Sequence, residues 1–260
     1  MIMVASSVGF IGAGRVAKIM LGAWKKGNAL PGKVVLYDCN AEASRALKAM
    51  GARVEAVSDA GLAAAQDVVF LAVHPPMVKD ALAAIQGKLR GDAILVSLAP
   101  KFTTAKISEM LGGFKKIARM IPNAPTLVGR GYNPQAHGAG LDAADKAALV
   151  ALFKPLGECP VVEERHLEAY AILSAMGPTY FWPQIQALKT LGESFGLSSD
   201  ATMEALDKML WGAMATVRES GLTPEQVHDL IPVKPMAEEV EVLAKAYGNK
   251  LNGLMDKIRP

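Results

Sequence analysis

Through the first ~120 residues, short apolar runs alternate with stretches whose apolar positions recur every three or four residues. Val8–Ile11, Val34–Tyr37, Arg53–Val57, Val68–Val73, Ile94–Leu98 and Lys116–Met120 read as strands. Between them, Arg15–Lys26, Ala41–Met50, Gly61–Gln66, Val78–Leu89 and Ala105–Leu111 read as helices, several closed by glycine or followed by proline. Val68–Val73 is apolar at every position, as a strand buried on both faces should be. Such alternation predicts an α/β fold, a doubly wound and mostly parallel sheet with helices on both faces.

After about Leu141 the pattern changes. Asp145–Phe153 reads as a helix and Val161-Val162 as a last short strand. From Glu164 turn signals thin, and helices are expected near 165–176, 178–195, 199–219, 224–230 and 235–257. The expected organisation is therefore an α/β domain over 1–162 and an all-α domain over 163–260. The 178–195 helix carries Tyr180, Phe181, Trp182, Ile185, Leu188 and Leu191, too many large apolar groups for one buried face. A second copy of the chain is one way to cover them.

Composition removes several classes of function. The formal charge is +3 over 260 residues with no dense basic run, which gives no case for nucleic acid or an anionic membrane. Cys39 and Cys159 are far apart, and two free thiols in a reducing compartment are favoured over one disulfide. The four histidines are scattered without metal-ligand spacing, so no metal site is expected. The N-terminal apolar segment is interrupted by Arg15 and Lys18 and reads as strand, turn and helix, not as a signal peptide. A cytoplasmic protein is expected by default.

The turn between the first strand and helix reads Gly12-x-Gly14-x-x-Ala17. In that context the pattern is a dinucleotide fingerprint: a tight turn at Gly12, close backbone approach at Gly14, close helix packing at Ala17. Free N–H groups at the helix start then face a pyrophosphate. Asp38 closes the second strand, where a carboxylate accepts from ribose hydroxyls and repels a 2′-phosphate. With Cys39 and Asn40 following, this favours NAD over NADP, although Arg45 lies one turn into the next helix and Asp38 has an alternative role as a helix cap. His74-Pro75-Pro76 ends the fourth strand and Ala99-Pro100 the fifth, both at the carboxyl edge where such sheets bind ligands.

Four stretches, in order and at matching spacing, resemble the pyrroline-5-carboxylate reductase family: Gly9-Phe-Ile-Gly-Ala-Gly14, Ala72-Val-His-Pro75, Arg119-Met-Ile-Pro-Asn-Ala-Pro125 with Val128-Gly129 and Gly131, and Leu173-Ser-Ala-Met-Gly-Pro-Thr-Tyr180. The likeness runs to about Leu222. It implies a Rossmann-type domain, a helical dimerisation domain giving a homodimer or a dimer-based oligomer, and reduction of a cyclic imine by NAD(P)H in proline biosynthesis. On that pattern Gly12, Ala13, Gly14, Arg15 and Val16 hold the pyrophosphate, and Asp38 and Asp59 approach the adenosine. Ala72, His74, Pro75 and Ala99 flank the nicotinamide. Met120, Pro122, Asn123, Ser174, Gly177, Pro178 and Thr179 surround the substrate, with Met120 and Asn123 also readable as core and turn residues.

The chain departs from the family at identifiable points. His74 replaces a usual lysine, Cys39 stands where an arginine for the 2′-phosphate often stands, and Ser174-Ala175-Met176-Gly177-Pro178 has lost one hydroxyl. The family's Ser-Pro-Gly-Gly-Thr-Thr loop becomes Ile231-Pro-Val-Lys-Pro-Met236, in which prolines lack the N–H groups a carboxylate needs. Lys234 is either a point charge for an anion or an exposed loop lysine. Ser174 and Thr179 are the candidate catalytic hydroxyls, to orient the imine nitrogen and supply a proton. Two other readings stand beside this one. In a β-hydroxyacid dehydrogenase a helix lysine is followed by asparagine three positions on, but Lys189 is followed by Gly192. A non-catalytic NAD(H)-binding sensor or partner protein would keep the cofactor motifs and lose the substrate loop.

Overall fold

The structure, a computed structural model, describes residues 6–260; the first five, counted above in the α/β domain, lie outside the described residues. The described chain divides into two compact units. One runs to Met176 and takes in Leu254–Pro260; the other is Gly177–Gly253. The edge at Met176 lies one helix beyond the 162/163 boundary read from the sequence.

In the first unit the order is β1 (Ser7–Ile11), α1 (Arg15–Lys26), β2 (Lys33–Tyr37), α2 (Ala41–Lys48), β3 (Val54–Val57), α3 (Ala60–Ala64), β4 (Val68–Leu71), α4 (Val78–Ile85), β5 (Ile94–Ser97), α5 (Thr104–Met110) and β6 (Ile117–Met120). Then come β7 (Gly131–Tyr132), β8 (Gln135–His137), α6 (Ala143–Phe153), β9 (Gly157–Glu158) and α7 (Leu167–Tyr170), which runs into a π-helical turn, Ala171–Ala175. Seven strands form one sheet in the order β3-β2-β1-β4-β5-β6-β8. All neighbours are parallel except β8, which runs antiparallel to β6 with Arg119 opposite Ala136. The order reverses between β1 and β4, and that crevice is where a doubly wound sheet takes its ligand.

Apolar residues fill both faces of this sheet. One face packs Phe10 on Phe70 at 4.8 Å between ring centres, with Trp24 and Phe153 beside them. The Trp24 indole N–H donates to Leu152 O at 2.9 Å, so no polar atom of that ring is stranded. The other face buries Ile11, Leu71 and Leu95 under Val78, Leu82 and Ile85 of α4. Each such side chain contributes about 1.5–3 kcal/mol. Gly9 lets α3 lie close, since a β-carbon there would meet Ala63 O at 1.8 Å.

The expected elements form, with differences that have local causes. The Val68–Val73 strand ends at Leu71, where the last Ala72 N–H donates to Ile11 O and the chain turns out over the crevice. The helix from Val78 stops at Ile85 rather than Leu89, ahead of Gly87 with φ +71°. Val161 makes only an isolated bridge to Gln135. The edge strand β8 has no counterpart among the expected strands.

The second unit holds α8 (Pro178–Ser194), α9 (Ser199–Glu219), α10 (Pro224–Asp229) and most of α11 (Val240–Ile258). Ser198 caps α9 through Ala201 N–H, and Thr223 with Gln226 forms a capping box on α10. Gly192 admits Thr202, whose methyl would lie 2.5 Å from a β-carbon. The last α-helix begins at Val240, not near 235, and a 3-10 turn over Ala237–Glu239 leads into it.

Candidate functional site

A cleft of about 480 Å³ opens at the carboxyl edge of the sheet. It brings together Gly12, Gly14, Arg15, Val16, Asp38, Ala72, His74 and Pro75, as the fingerprint predicts. Gly12 has φ +103°, and a β-carbon on it would meet Ala72 O at 2.6 Å. Gly14 differs: its φ is −82°, and nothing lies within 4 Å of a β-carbon placed there. Neither backbone nor neighbour requires glycine at 14, so the space itself is what glycine preserves. Gly14 is also the N-cap of α1 and offers no side-chain cap, and the first turn holds no acidic residue. The leading N–H groups of α1 therefore point at an anion site. A pyrophosphate fits this cradle.

Asp38 is tied to the turn. Its Oδ2 accepts from Ala13 N–H at 2.7 Å and its Oδ1 from Asn40 N–H at 2.8 Å. The capping task on α2 falls to Asn40, whose Oδ1 accepts from Glu42 N–H at 3.1 Å. Asp38 is thus not a helix cap and stands on the cleft wall. Ala13 is nearly enclosed and its N–H is taken by Asp38. Arg45 is exposed on α2 and does not line the cleft.

Two residues of the cofactor set stand elsewhere. Asp59 caps α3 through Gly61 N–H at 2.8 Å and is not in the cleft wall. Ala99 is buried beneath the wall, and Leu98 and Pro100 line it instead. Sequence reading missed the far side: Tyr37 and Ala43 on one wall, and Met77, Asp80, Ala81 and Ala84 on another. The last four, Met77 at the N-cap of α4 and three residues within it, recur at three- and four-residue spacing, a signal present in the sequence. Cys39, exposed, also lines the cleft.

The substrate set divides between the units. In the first, Met120 is fully enclosed in the core and presents no surface. Asn123 is buried, its Oδ1 accepting from Tyr132 N–H at 3.1 Å and its amide donating to Ser174 O at 3.3 Å. It holds the loop after β6, the β7 strand and the π-helical turn in one arrangement. The neighbouring Pro122 is partly exposed. Ser174 stands on the π-helical turn and donates its hydroxyl to Tyr170 O at 2.8 Å, which leaves the oxygen's lone pairs to accept. In the second unit, Gly177 caps α8, Pro178 is its first residue and Thr179 is exposed. Lys234 is exposed in a loop, and Lys189 is bound to Glu193 at 2.6 Å along its own helix. Among the described residues no cluster of side chains suits a metal ion, and no helix is long and apolar enough to cross a membrane.

Residues 7–101 match the family model described as NADP oxidoreductase, coenzyme F420-dependent. The chain is 30% identical over 225 residues to pyrroline-5-carboxylate reductase of Glycine max, covering 86% of this chain and 81% of that protein. It is 28% identical over 239 residues to the Escherichia coli (strain K12) enzyme of that name, covering 91% and 89%. Among solved structures, Plasmodium falciparum pyrroline carboxylate reductase with NADP bound is similar in fold, with a TM-score of 0.73 at 22% identity, covering 97% of this chain and 93% of that one. The identity to the Glycine max protein, sustained over most of both chains, places this chain in the pyrroline-5-carboxylate reductase family.

Proposed function

We propose that the chain is an NAD(P)H-dependent oxidoreductase that reduces pyrroline-5-carboxylate, or a cyclic imine close to it, at the carbon–nitrogen bond. The observation that carries the reading is the Gly14 cradle on the uncapped start of α1, in a chain of this family. The nicotinamide ring supplies the hydride when bound. The chain's own part is to hold and orient. Arg15 and the leading N–H groups of α1 hold the pyrophosphate, and Asp38 takes the ribose hydroxyls. Ser174 serves the imine: its oxygen accepts from a protonated imine nitrogen, since its own hydrogen is donated to Tyr170 O.

NADH is the preferred reductant in this reading. Asp38 stands on the cleft wall, Cys39 follows it, and Arg15, which also lines the cleft, is assigned to the pyrophosphate. The reading includes a cytoplasmic setting, which suits free thiols at Cys39 and Cys159, and a homodimer assembled through the helical unit. The match over most of the chain favours a reductase over a non-catalytic NAD(H)-binding module. The Lys189–Glu193 pair disfavours a dehydrogenase using that lysine as acid.

Steady-state oxidation of NADH and NADPH with pyrroline-5-carboxylate tests the reductase reading and the cofactor preference together. Turnover with kcat/KM higher for NADH is expected. Tight NADH binding without turnover across a panel of cyclic imines would sink the reductase reading, and preference for NADPH would sink the assignment to Asp38.

A further inference from the structure

A second cavity, of about 630 Å³, lies beside the cofactor cleft and shares Pro75 with it. Pro75, Pro76 and Phe102 give it an apolar lining, Pro260 brings its ring and its α-carboxylate to it, and Lys79, Lys101 and Lys106 add three positive charges. Its volume falls within the range of small-molecule pockets. Lys106 is paired with Glu109 at 3.3 Å. Lys79 and Lys101 have no carboxylate partner among the described residues. The Thr103 oxygen accepts from Lys106 N–H at 3.1 Å, which leaves its hydroxyl hydrogen to donate.

Lys101 is the telling residue. Its φ is +78°, left-handed backbone in which glycine is at ease and a side chain is strained. The only other described non-glycine residue there is Asn28, just past the end of α1, where asparagine is tolerated. Glutamates impose the Lys101 conformation: Lys101 N–H donates to Glu168 Oε1 at 3.0 Å and Thr104 N–H to Glu164 Oε1 at 2.6 Å. Both glutamates are bound to the buried Arg119. A strained residue held this firmly is a mark of function, and the side chain retained at that cost lines the cavity.

We propose that this cavity is a second ligand site, for a small organic carboxylate with an apolar body. Lys101 and Lys79 engage the carboxylate, Thr103 donates to it, and the prolines and Phe102 cover the rest. Nothing in the reductase reading uses these lysines.

Calorimetric titration of the whole protein with benzoate, without cofactor or imine, tests the site. Wild type should bind benzoate, and bind benzyl alcohol and inorganic phosphate each about tenfold more weakly or worse, since one lacks the charge and the other the apolar body. Lys101→Gly and Lys79→Gln should each weaken benzoate about tenfold. Lys101→Gly should do so with an unfolding temperature no lower than wild type, because glycine relieves the strain. No benzoate binding in wild type, equal binding of benzyl alcohol or of phosphate, or affinity unchanged in both variants would each overturn the proposal. None of these outcomes touches the reductase assay.

Discussion

Gly12 and Gly14 are glycines for different reasons, and the difference can be measured. At Gly12 a side chain strains the backbone and strikes Ala72 O, so Gly12→Ala should lower stability by several kcal/mol or prevent folding. At Gly14 the backbone is ordinary and the space is open. Gly14→Ala should therefore change stability by no more than about 1 kcal/mol. Cofactor affinity should nonetheless fall about tenfold or more as the methyl fills the pyrophosphate cradle. Paired thermal melts and NADH titrations decide it; a Gly14→Ala protein that binds NADH normally refutes the cradle. The two cysteines give a second probe of the same cleft. Cys39 is exposed on the wall, whereas burial pushes the Cys159 thiol up to about 11, so little of it is thiolate at pH 8. An aromatic disulfide reagent should label one thiol rapidly in the native protein and both after denaturation. Bound NADH should slow the rapid reaction. Labelling of Cys39 at the same rate with saturating NADH argues against adenosine at Asp38.

Among the elements, the buried ion cluster joins parts that are distant in sequence. Arg119 of β6 and Glu168 of α7 are both almost wholly enclosed, and through the glutamates they hold the β5–α5 loop. Removing one partner leaves a buried charge uncompensated. Arg119→Leu should cost about 3–5 kcal/mol in chemical denaturation, and the double change Arg119→Leu with Glu168→Leu less than either the sum or Arg119→Leu alone. A double variant as unstable as the sum would show that the two side chains act independently. The edge strand β8 supplies a pH dependence. Burial first, and the charge of Lys146 second, hold the His137 imidazole below its ordinary value of 6.5. The unfolded chain takes up its proton near 6.5 and the folded chain only at lower pH. Stability present above about 6.5 is therefore lost as the pH falls through the folded value. Denaturation midpoints at pH 7.5 and 5.5 should drop less in His137→Gln than in wild type; equal drops would assign the loss to other groups. These elements also mark what the sequence disclosed. Strands β1, β2, β4 and β5 were legible because each is a continuous apolar run between turn signals. β8, reading Gln-Ala-His, was not, because its strand form comes from pairing with β6 rather than from its own pattern. The cofactor wall made by β1, α1 and β2 was legible as a motif. The α4 wall left a helical spacing in the sequence, but its place over the cleft, like the Glu164–Glu168–Arg119 cluster, depends on which helix the fold lays across which strand end.

At the scale of the whole molecule, the helical unit exposes the large apolar groups that the sequence reading left in need of partners. On α9, Met203, Leu210, Met214 and Val217 repeat at helical spacing, with Trp211 beside them 74% exposed. On α8, Phe181, Trp182, Leu188 and Leu191 are exposed as well, and Phe195 just beyond it is 78% exposed. Isolated exposed leucines need no explanation, but large apolar groups repeated along two helices of one unit mark an interaction surface. The homodimer proposed above would cover them, since a two-fold pairing buries the same stripe on both copies. Large aromatic anchors carry much of such an interface, so one charge placed at Trp211 should weaken association by more than about 2 kcal/mol, roughly thirtyfold. In sedimentation at micromolar concentration, wild type should run at about twice the 27.4 kDa chain mass or a larger even multiple. Trp211→Glu should shift toward the single chain with the first unit still folded, which NADH binding would report. A wild-type protein that sediments as one chain would remove the dimer. A Trp211→Glu protein that stays dimeric would move the interface off α9 and onto the remaining exposed helices.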